Sequence, residues 1–337
     1  MTGTPVENRL RDLWSIFSIL NPGYLGSLGE FQEDFASPVE SDGDKAAAAR
    51  LQALVRPFLL RRLKTDKTVA PDLPPKITTK ETCALTKEQA SLYQALVDRM
   101  LAELSDADEK VAVAADATAR VRANFQRGSI VLNTLLRLKQ VCNHPAQMLG
   151  DGSPLHGRSG KLTRLLELLE ETVGAGDKAL VFTQFAGFGQ YLQPYLSERL
   201  GAEVIFLHGG TPRPAREEMI KRFQNQAGPP VFLLSLKAGG VGLNLTAASH
   251  VIHFDRWWNP AVEDQATDRA HRIGQKRTVQ VHKLVTTGTL EDSIDALLEE
   301  KRELAASVIG AGEEWLTKLS TGQLRELLRL RHGAVED

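Results

Sequence analysis

Cysteine is scarce in this chain, and long apolar runs are absent from its sequence. The two cysteines, Cys83 and Cys142, lie far apart and form no ligand-spaced pair, which argues against a disulfide scaffold and against a cysteine-based zinc site. No apolar run reaches the ~18 residues that a membrane-spanning helix needs, and the amino terminus has no basic stretch followed by a hydrophobic one. We therefore predict buried, reduced thiols and a cytoplasmic protein without membrane segments.

An excess of charge of one sign is also lacking, because the formal net charge is −1. A chain with this balance has no overall attraction for nucleic acid, so any such binding must come from local basic patches. The sequence contains no Gly-x4-Gly-Lys-Ser/Thr loop, whose backbone amides hold nucleotide phosphates. With 42% hydrophobic and 25% charged residues, the composition is typical of a globular chain of about two or three domains.

Short apolar runs alternate with helical stretches from Lys161 onward. The runs predicted as strands are residues 179–183, 204–207, 231–235, 251–254 and 279–285. Strands separated by helices form a parallel sheet covered on both faces, and such sheets bind ligands at the carboxyl ends of their strands. Thr183, Gln184, the segment 235–242 and Asp255 all follow strands, so we expect them at that edge.

The segment 255–275 carries two arginines at helical spacing. An Asn-Pro pair at 259–260 predicts the start of a helix, and Gly274 predicts its end. Three polar residues would share one face of this helix: Gln265, Arg269 and Arg272. The opposing stripe of small apolar residues consists of Ala266, Ala270 and Ile273. Guanidinium groups suit phosphate oxygens, so this pattern indicates two arginines that bind a phosphate group. The alternative interpretation of the same pattern is a surface helix whose arginines form salt bridges.

Three glycines follow the predicted strand 231–235, at positions 239, 240 and 242. Glycine lets a backbone approach closely, and its exposed amides can bind phosphate oxygens of a nucleotide or of a nucleic-acid strand. An ordinary structural turn is the alternative for this segment.

Several of these strings resemble one known family. The pattern Gln265-x3-Arg269-x2-Arg272-Ile-Gly-Gln275 resembles the last signature of superfamily-two helicase-like ATPases, and its second half resembles the Swi/Snf-type branch of DNA-translocating motors. The segment 235–244 resembles the fifth signature of that family. Weaker resemblances to the family occur at 2–8, at 56–76 and at 142–145. Asp268 departs from the family form, which often has glycine before the first arginine.

The resemblance implies a role for each matching residue. Arg269 and Arg272, with Gln265, would act as catalytic residues toward ATP, and Gly239 and Gly240 would contact the nucleotide through their backbone. The residues implied to contact double-stranded DNA are Thr183, Gln184, Lys237 and Trp258. ATP and Mg²⁺ would sit mainly on a first ATPase lobe that this chain is expected to lack, and no metal site is expected here. A protein cargo is not indicated.

The implied fold class is α/β. A RecA-like parallel-sheet lobe with helices on both faces would follow a mostly helical region and precede carboxyl-terminal brace helices. The expected domains are a remnant of the first lobe at 1–80, a helical linker at 81–155, the second RecA-like lobe at 156–288 and the brace at 289–337. The expected function is the carboxyl-terminal part of an ATP-dependent translocase on double-stranded DNA. The alternative is a non-enzymatic module that binds nucleic acid or protein.

Overall fold

The computed structural model describes residues 9–41, 43–59, 70–113, 116–236, 243–257, 260–296, 316–317, 319–331 and 333–335. The chain divides into two compact units, residues 1–71 with 296–315 and residues 72–295 with 316–337. The finer domain boundaries expected from the sequence stay predictions.

The smaller unit contains short helices around an aromatic core. Its helices are α1 (Leu10–Leu20), α2 (Leu28–Phe31), α3 (Ser37–Ser41) and α4 (Lys45–Val55), with a π turn at Gln32–Ala36 and a 3-10 turn at Arg56–Phe58. Apolar residues at helical spacing in α1 turn Leu13 and Phe17 inward, where they pack with Phe31, Leu51 and Val55.

A long helical hairpin lies in the amino-terminal part of the larger unit. It consists of α5 (Lys87–Ala112) and α6 (Ala117–Asn143), and α6 is followed by the short helix α7 (Pro145–Leu149). Thr86 begins α5 with a capping box, because its hydroxyl accepts from the Gln89 amide and the Gln89 side chain accepts from the Thr86 amide. The Thr-x-x-Gln spacing of residues 86–89 is typical of such a helix start.

The larger unit is built on a parallel sheet in the order β1-β6-β5-β2-β4-β3. Its strands are β1 (Lys76–Cys83), β2 (Ala179–Thr183), β3 (Val204–Leu207), β4 (Val231–Ser235), β5 (His250–His253) and β6 (Val279–Thr286). The five predicted strands are confirmed within one residue at their ends. The sequence analysis missed β1, because this edge strand is largely exposed and rich in Thr and Lys and so has no apolar run.

Helices cover both faces of this sheet, as predicted. Residues of β2 and β4 alternate between two cores: Val181 and Leu233 face α8 (Gly160–Gly174) and α9 (Ala186–Leu200), whereas Phe182 and Leu234 face α10 (Arg213–Gln224) and α11 (Pro260–Thr267). Helix α12 begins at residue 290 and is described as far as 296, and α13 spans Thr321–Leu328. The carboxyl end returns to β1, where the Leu85 amide donates to the Ala334 carbonyl at 2.7 Å.

A buried ion pair joins α8 to the start of α12. The Lys161 ammonium donates to both carboxylate oxygens of Glu291, at 2.7 and 2.6 Å, and to Asn143 Oδ1 at 3.1 Å. The two charged side chains are 0% and 1% exposed. Burial disfavours the charged amine, but the Glu291 carboxylate overcomes this penalty and raises the pKa of Lys161. The pair therefore stabilises the larger unit only while both partners are present.

We expect Lys161→Met to lower the free energy of unfolding by about 3–5 kcal/mol, because Glu291 would stay buried without its cation. Urea denaturation measures this loss, and the double variant Lys161→Met, Glu291→Leu should regain part of it. Arg213→Ala is the control, since that arginine is 86% exposed in its pair with Glu217 and should change stability by no more than about 0.5 kcal/mol. Equal stabilities of Lys161→Met and the control would contradict this account of the pair.

Candidate functional site

The two arginines singled out by the sequence lie in a turn that follows α11. The helix ends at Thr267, so the prediction that Gln265, Arg269 and Arg272 share one helical face is wrong. After Asp268 the backbone closes tighter turns, in which the amides of Arg269 and Ala270 donate to carbonyls three residues back, at 3.2 and 3.0 Å. The Ala270 carbonyl accepts from the Arg272 amide at 3.1 Å and from the Gln275 side chain at 3.1 Å, neither of which is a bond of a regular α-helix.

The predicted apolar stripe is only partly confirmed. Ala266 and Ala270 are buried, at 1% and 0% exposure, whereas Ile273 is 77% exposed. Gln265 is exposed on α11, so its side chain points away from the core on which the arginine turn packs. The chain reverses at Gly274, whose φ of 101° lies in a region that favours glycine.

Arg269 is a buried cation with an unused donor. Its side chain is buried, with Cζ 5.5 Å from the ring centre of Phe182. Nη1 is buried and has no hydrogen-bond partner among the described residues. Burial, followed by the charge of Arg272, lowers the pKa of Arg269 to about 10. Because an unpaired buried donor is costly, this position favours an incoming anion.

Arg272 lies beside the segment that follows the glycine-rich loop. This half-buried residue donates through Nη1 to the Leu243 carbonyl at 3.2 Å, and the Leu245 amide donates to the Arg269 carbonyl at 2.9 Å. The arginine turn is therefore attached to residues 243–245. Gly239, Gly240 and Lys237 lie outside the described residues, so their predicted contacts stay predictions.

Gln275 fixes the arginine turn. This residue is 5% exposed, and its Nε2 donates to the carbonyls of Thr246 at 3.1 Å, Ala248 at 2.8 Å and Ala270 at 3.1 Å. Its Oε1 accepts from the amides of residues 276 and 277. The sequence analysis noted Gln275 only as part of a motif, since no local pattern shows that one amide joins three segments.

A second polar cluster surrounds Asp255 at the ends of β2 and β5. The fully buried carboxylate accepts from Thr183 Oγ1 at 2.6 Å, from the Gln184 amide at 2.9 Å and from Asn143 Nδ2 at 3.3 Å. Burial raises the pKa of Asp255, although these hydrogen bonds and the charge of Lys139 oppose the rise. The structure thus attaches both Thr183 and Gln184 to the Asp255 carboxylate. Thr183 is buried and Gln184 is half-buried.

Trp258 lies outside the described residues, but its neighbours are held firmly. The buried Glu263 carboxylate accepts from Arg256 Nε at 2.8 Å, from the Trp257 amide at 2.9 Å and from Lys283 Nζ at 2.8 Å. Burial alone would raise the pKa of Glu263, but the surrounding cationic groups lower it to about 2. Trp257 is partly buried and packs against the apolar core.

The ion pairs around Arg256 were missed by sequence reasoning. Arg256 also pairs with Asp295, which pairs with Lys80 of β1. Charged residues inside apolar patterns, such as Lys283 within β6, are the signal that could have found them. Their partners come from separate elements, so only the fold reveals the pairing.

A cationic and an amide side chain thus lie near the end of β2, with Arg269 against Phe182 and Gln184 two residues further along the chain. Phosphate oxygens are the chemical partners that such groups bind best. Among the residues described, no three His, Cys, Asp or Glu side chains are grouped to hold a metal ion. Within the same residues, no helix is long and apolar enough to cross a membrane, and the cytoplasmic location stays a prediction.

Comparison with known proteins finds two matching families along the chain. Residues 1–147 match the SNF2-related domain, and residues 160–274 match the helicase conserved C-terminal domain. The putative ATP-dependent helicase/translocase YwqA of Bacillus subtilis is 46% identical over 332 residues, which cover 98% of this chain and 34% of the relative. The chain spans about a third of the length of the curated relatives that it matches first.

Two solved structures from Sulfolobus solfataricus are similar to the chain. The SWI2/SNF2 ATPase core in complex with dsDNA is 44% identical with a TM-score of 0.64, and the match covers 98% of this chain and 66% of that one. The SWI2/SNF2 ATPase C-terminal domain is 40% identical with a TM-score of 0.61, and the match covers 76% of this chain and 99% of that one.

Gln275→Ala should loosen the arginine turn and lower the free energy of unfolding by about 1–3 kcal/mol, because the carbonyls of Thr246, Ala248 and Ala270 would each lose one donor. Chemical denaturation measures this loss. Gln265→Ala is the matched control, since that glutamine is exposed on the same segment and should change stability by no more than about 0.5 kcal/mol. If the two variants were equally stable, Gln275 would not fix the turn.

Proposed function

The chain belongs to the SWI2/SNF2 family of ATP-dependent helicase-like proteins, and we propose that it forms the carboxyl-terminal part of a motor that moves along double-stranded DNA. In this proposal the chain supplies arginine side chains to ATP and backbone-directed contacts to the duplex. Each cycle of ATP hydrolysis would close and reopen the cleft between this chain and the first lobe. The proposed motor does not need to separate the two DNA strands.

The observation that carries the proposal is the buried guanidinium of Arg269 with its unpaired Nη1. A phosphate oxygen would satisfy this donor, and the low-dielectric surroundings would strengthen the contact. Arg272 lies close enough for its charge to act on Arg269, so two cations can share one anionic group. We assign both arginines to the γ-phosphate of ATP, where charge develops during phosphoryl transfer.

Gln265 has the least structural support of the three proposed catalytic residues. It lies on α11, one turn before the arginines, and is exposed. We propose that it meets nucleotide or the first lobe only when the cleft closes. Gly239 and Gly240 are proposed to contact the nucleotide through their amides.

ATP and Mg²⁺ are proposed to sit mainly on the first lobe. The donors of this chain fit phosphate oxygens, but its sequence has no phosphate-binding loop that would hold the nucleotide and its ion. Bound ATP supplies the phosphoryl group that passes to water. The role of this chain is to orient the phosphate oxygens and to offset their charge through Arg269 and Arg272.

Duplex DNA is proposed to lie along the Asp255 cluster. Support comes from the position of Gln184 at the end of β2, stabilised through its amide by Asp255, and from the Sulfolobus relative that was solved with dsDNA. The Thr183 hydroxyl already donates to Asp255, so we assign it the task of shaping the edge. Lys237 and Trp258 are proposed to contact the backbone and groove of the duplex.

This chain by itself should hydrolyse ATP negligibly, since its sequence has no phosphate-binding loop. The rate of ATP hydrolysis is measured as release of inorganic phosphate, with and without duplex DNA. Joining the chain to a first lobe should produce DNA-stimulated turnover, whereas a non-enzymatic binding module would stay inactive. Turnover by the rigorously purified chain would overturn the assignment of the nucleotide seat.

Lys237→Ala should weaken binding to duplexes of different DNA sequence by the same factor. Loss of one phosphate contact reduces the slope of log affinity against log salt by about 0.9. Fluorescence anisotropy across a salt series measures the slope, and Lys221→Ala, at an exposed lysine of α10, is the control. An unchanged slope together with unchanged affinity would mean that Lys237 does not contact DNA.

Arg272→Ala should abolish turnover in a protein that carries both lobes. Loss of an arginine finger costs roughly 10³–10⁵ in rate, while folding and duplex affinity should persist because Gln275 holds the turn. Arg277→Ala is the control, since Arg277 is close in sequence, 59% exposed and paired with Asp177. If Arg272→Ala keeps its rate within about tenfold, or loses its fold, Arg272 is structural and the assignment is wrong.

A further inference from the structure

Helix α6 buries one positive charge among mostly apolar side chains. The side chains that pack inward from its last turns are Val131, Leu135, Leu138 and Cys142. Lys139 lies among them and is 2% exposed. A buried ammonium is costly unless hydrogen bonds and an opposite charge offset its desolvation, so its presence in this face requires a reason.

The Lys139 ammonium joins two loops at the carboxyl edge of the sheet. It donates to the Arg256 carbonyl at 2.7 Å and to Gln184 Oε1 at 3.1 Å, and it lies 6.0 Å from the ring centre of Trp257. Gln184 follows β2, and Arg256 and Trp257 follow β5. One side chain of the helical hairpin thus contacts both parts of the proposed DNA surface.

The charge of Lys139 is balanced by the neighbouring carboxylate of Asp255. Lys139 is the main influence that opposes the rise in the pKa of Asp255 caused by burial. Asp255 in turn accepts from the Gln184 backbone amide at 2.9 Å. Gln184 is therefore held twice, by Asp255 at its backbone and by Lys139 at its side chain.

The contact with Lys139 also fixes the orientation of the Gln184 amide. An ammonium has donors only, so the oxygen of the amide must face Lys139 and the NH₂ group must face away. In this orientation Nε2 is a buried donor without a hydrogen-bond partner among the described residues. Such a donor is completed by an acceptor oxygen, which a DNA phosphate can supply.

We infer that Lys139 is a positioning residue for duplex DNA, which aims the Gln184 Nε2 donor at a phosphate and holds the segment after β5 in place. The inference rests on the proposed function. Lys139 already donates to Gln184 and to the Arg256 carbonyl, so we assign it no phosphate contact of its own. Its loss must therefore weaken DNA binding without removing a cation from the duplex surface.

The test measures binding of the whole chain to a short fluorescent DNA duplex across a salt series. Lys139→Met should weaken binding about tenfold, as expected for one misdirected hydrogen bond to a charged group. The salt slope should stay unchanged, in contrast to the reduction expected for Lys237→Ala. Lys110→Met removes the same charge from an exposed position of α5 and should leave affinity within about twofold. Circular dichroism establishes that each variant is folded.

A double-mutant cycle shows whether Lys139 acts through Gln184. Gln184→Met should itself weaken binding, and adding Lys139→Met should then cost clearly less than it does in the wild-type background. If Lys139→Met weakened DNA binding equally in the wild-type and Gln184→Met backgrounds, Lys139 would not position Gln184. If Lys139→Met fails to fold, Gln184→Glu replaces it, because that variant keeps an acceptor for the buried amine but loses the Nε2 donor.

The outcomes separate this inference from the proposed function. Absence of duplex binding by the wild-type chain would overturn both. Wild-type binding with unaltered affinity of Lys139→Met, or of Gln184→Glu, would overturn only the positioning role. A reduced salt slope for Lys139→Met would also overturn it, because Lys139 would then contact phosphate directly.

Discussion

The buried carboxylate of Asp255 is the interaction on which the functional edge depends. It lies at the end of β5, is fully buried, and accepts from Thr183, Gln184 and Asn143. A charge in this position requires donors from every side. The loop after β2 and the end of α6 are therefore both fixed to β5, and the edge is arranged before any ligand arrives.

The two proposed activities meet on consecutive residues of β2. Phe182 packs beneath Arg269 on one face of the sheet, whereas Thr183 donates to Asp255 on the other. A shift of the arginine turn toward an ATP phosphate would therefore act on the strand whose next residues shape the DNA edge. The two proposed sites are thus joined by two consecutive residues of one strand.

The sequence predicted the sheet well, because each buried strand is a short apolar run between helices. It failed where partners come from distant elements. β1 is polar and exposed, so only its pairing with β6 identifies it. The helix through Arg269 and Arg272 was predicted from spacing alone, but α11 ends at Thr267 and the arginines lie in a turn held by tertiary hydrogen bonds of Gln275. The burial of Lys139 and Lys161 could not be predicted from the local sequence either, because their hydrogen-bond partners lie in distant segments.

The most direct test of the account is the structure of a two-lobed protein with duplex DNA and a transition-state mimic, ADP with aluminium fluoride. The account predicts that nitrogens of Arg269 and Arg272 lie within about 3 Å of the mimic's fluoride or oxygen atoms, with Gln184 facing a DNA phosphate. It would be contradicted if Arg269 stayed against Phe182 without contacting the mimic while other residues surrounded the phosphate position.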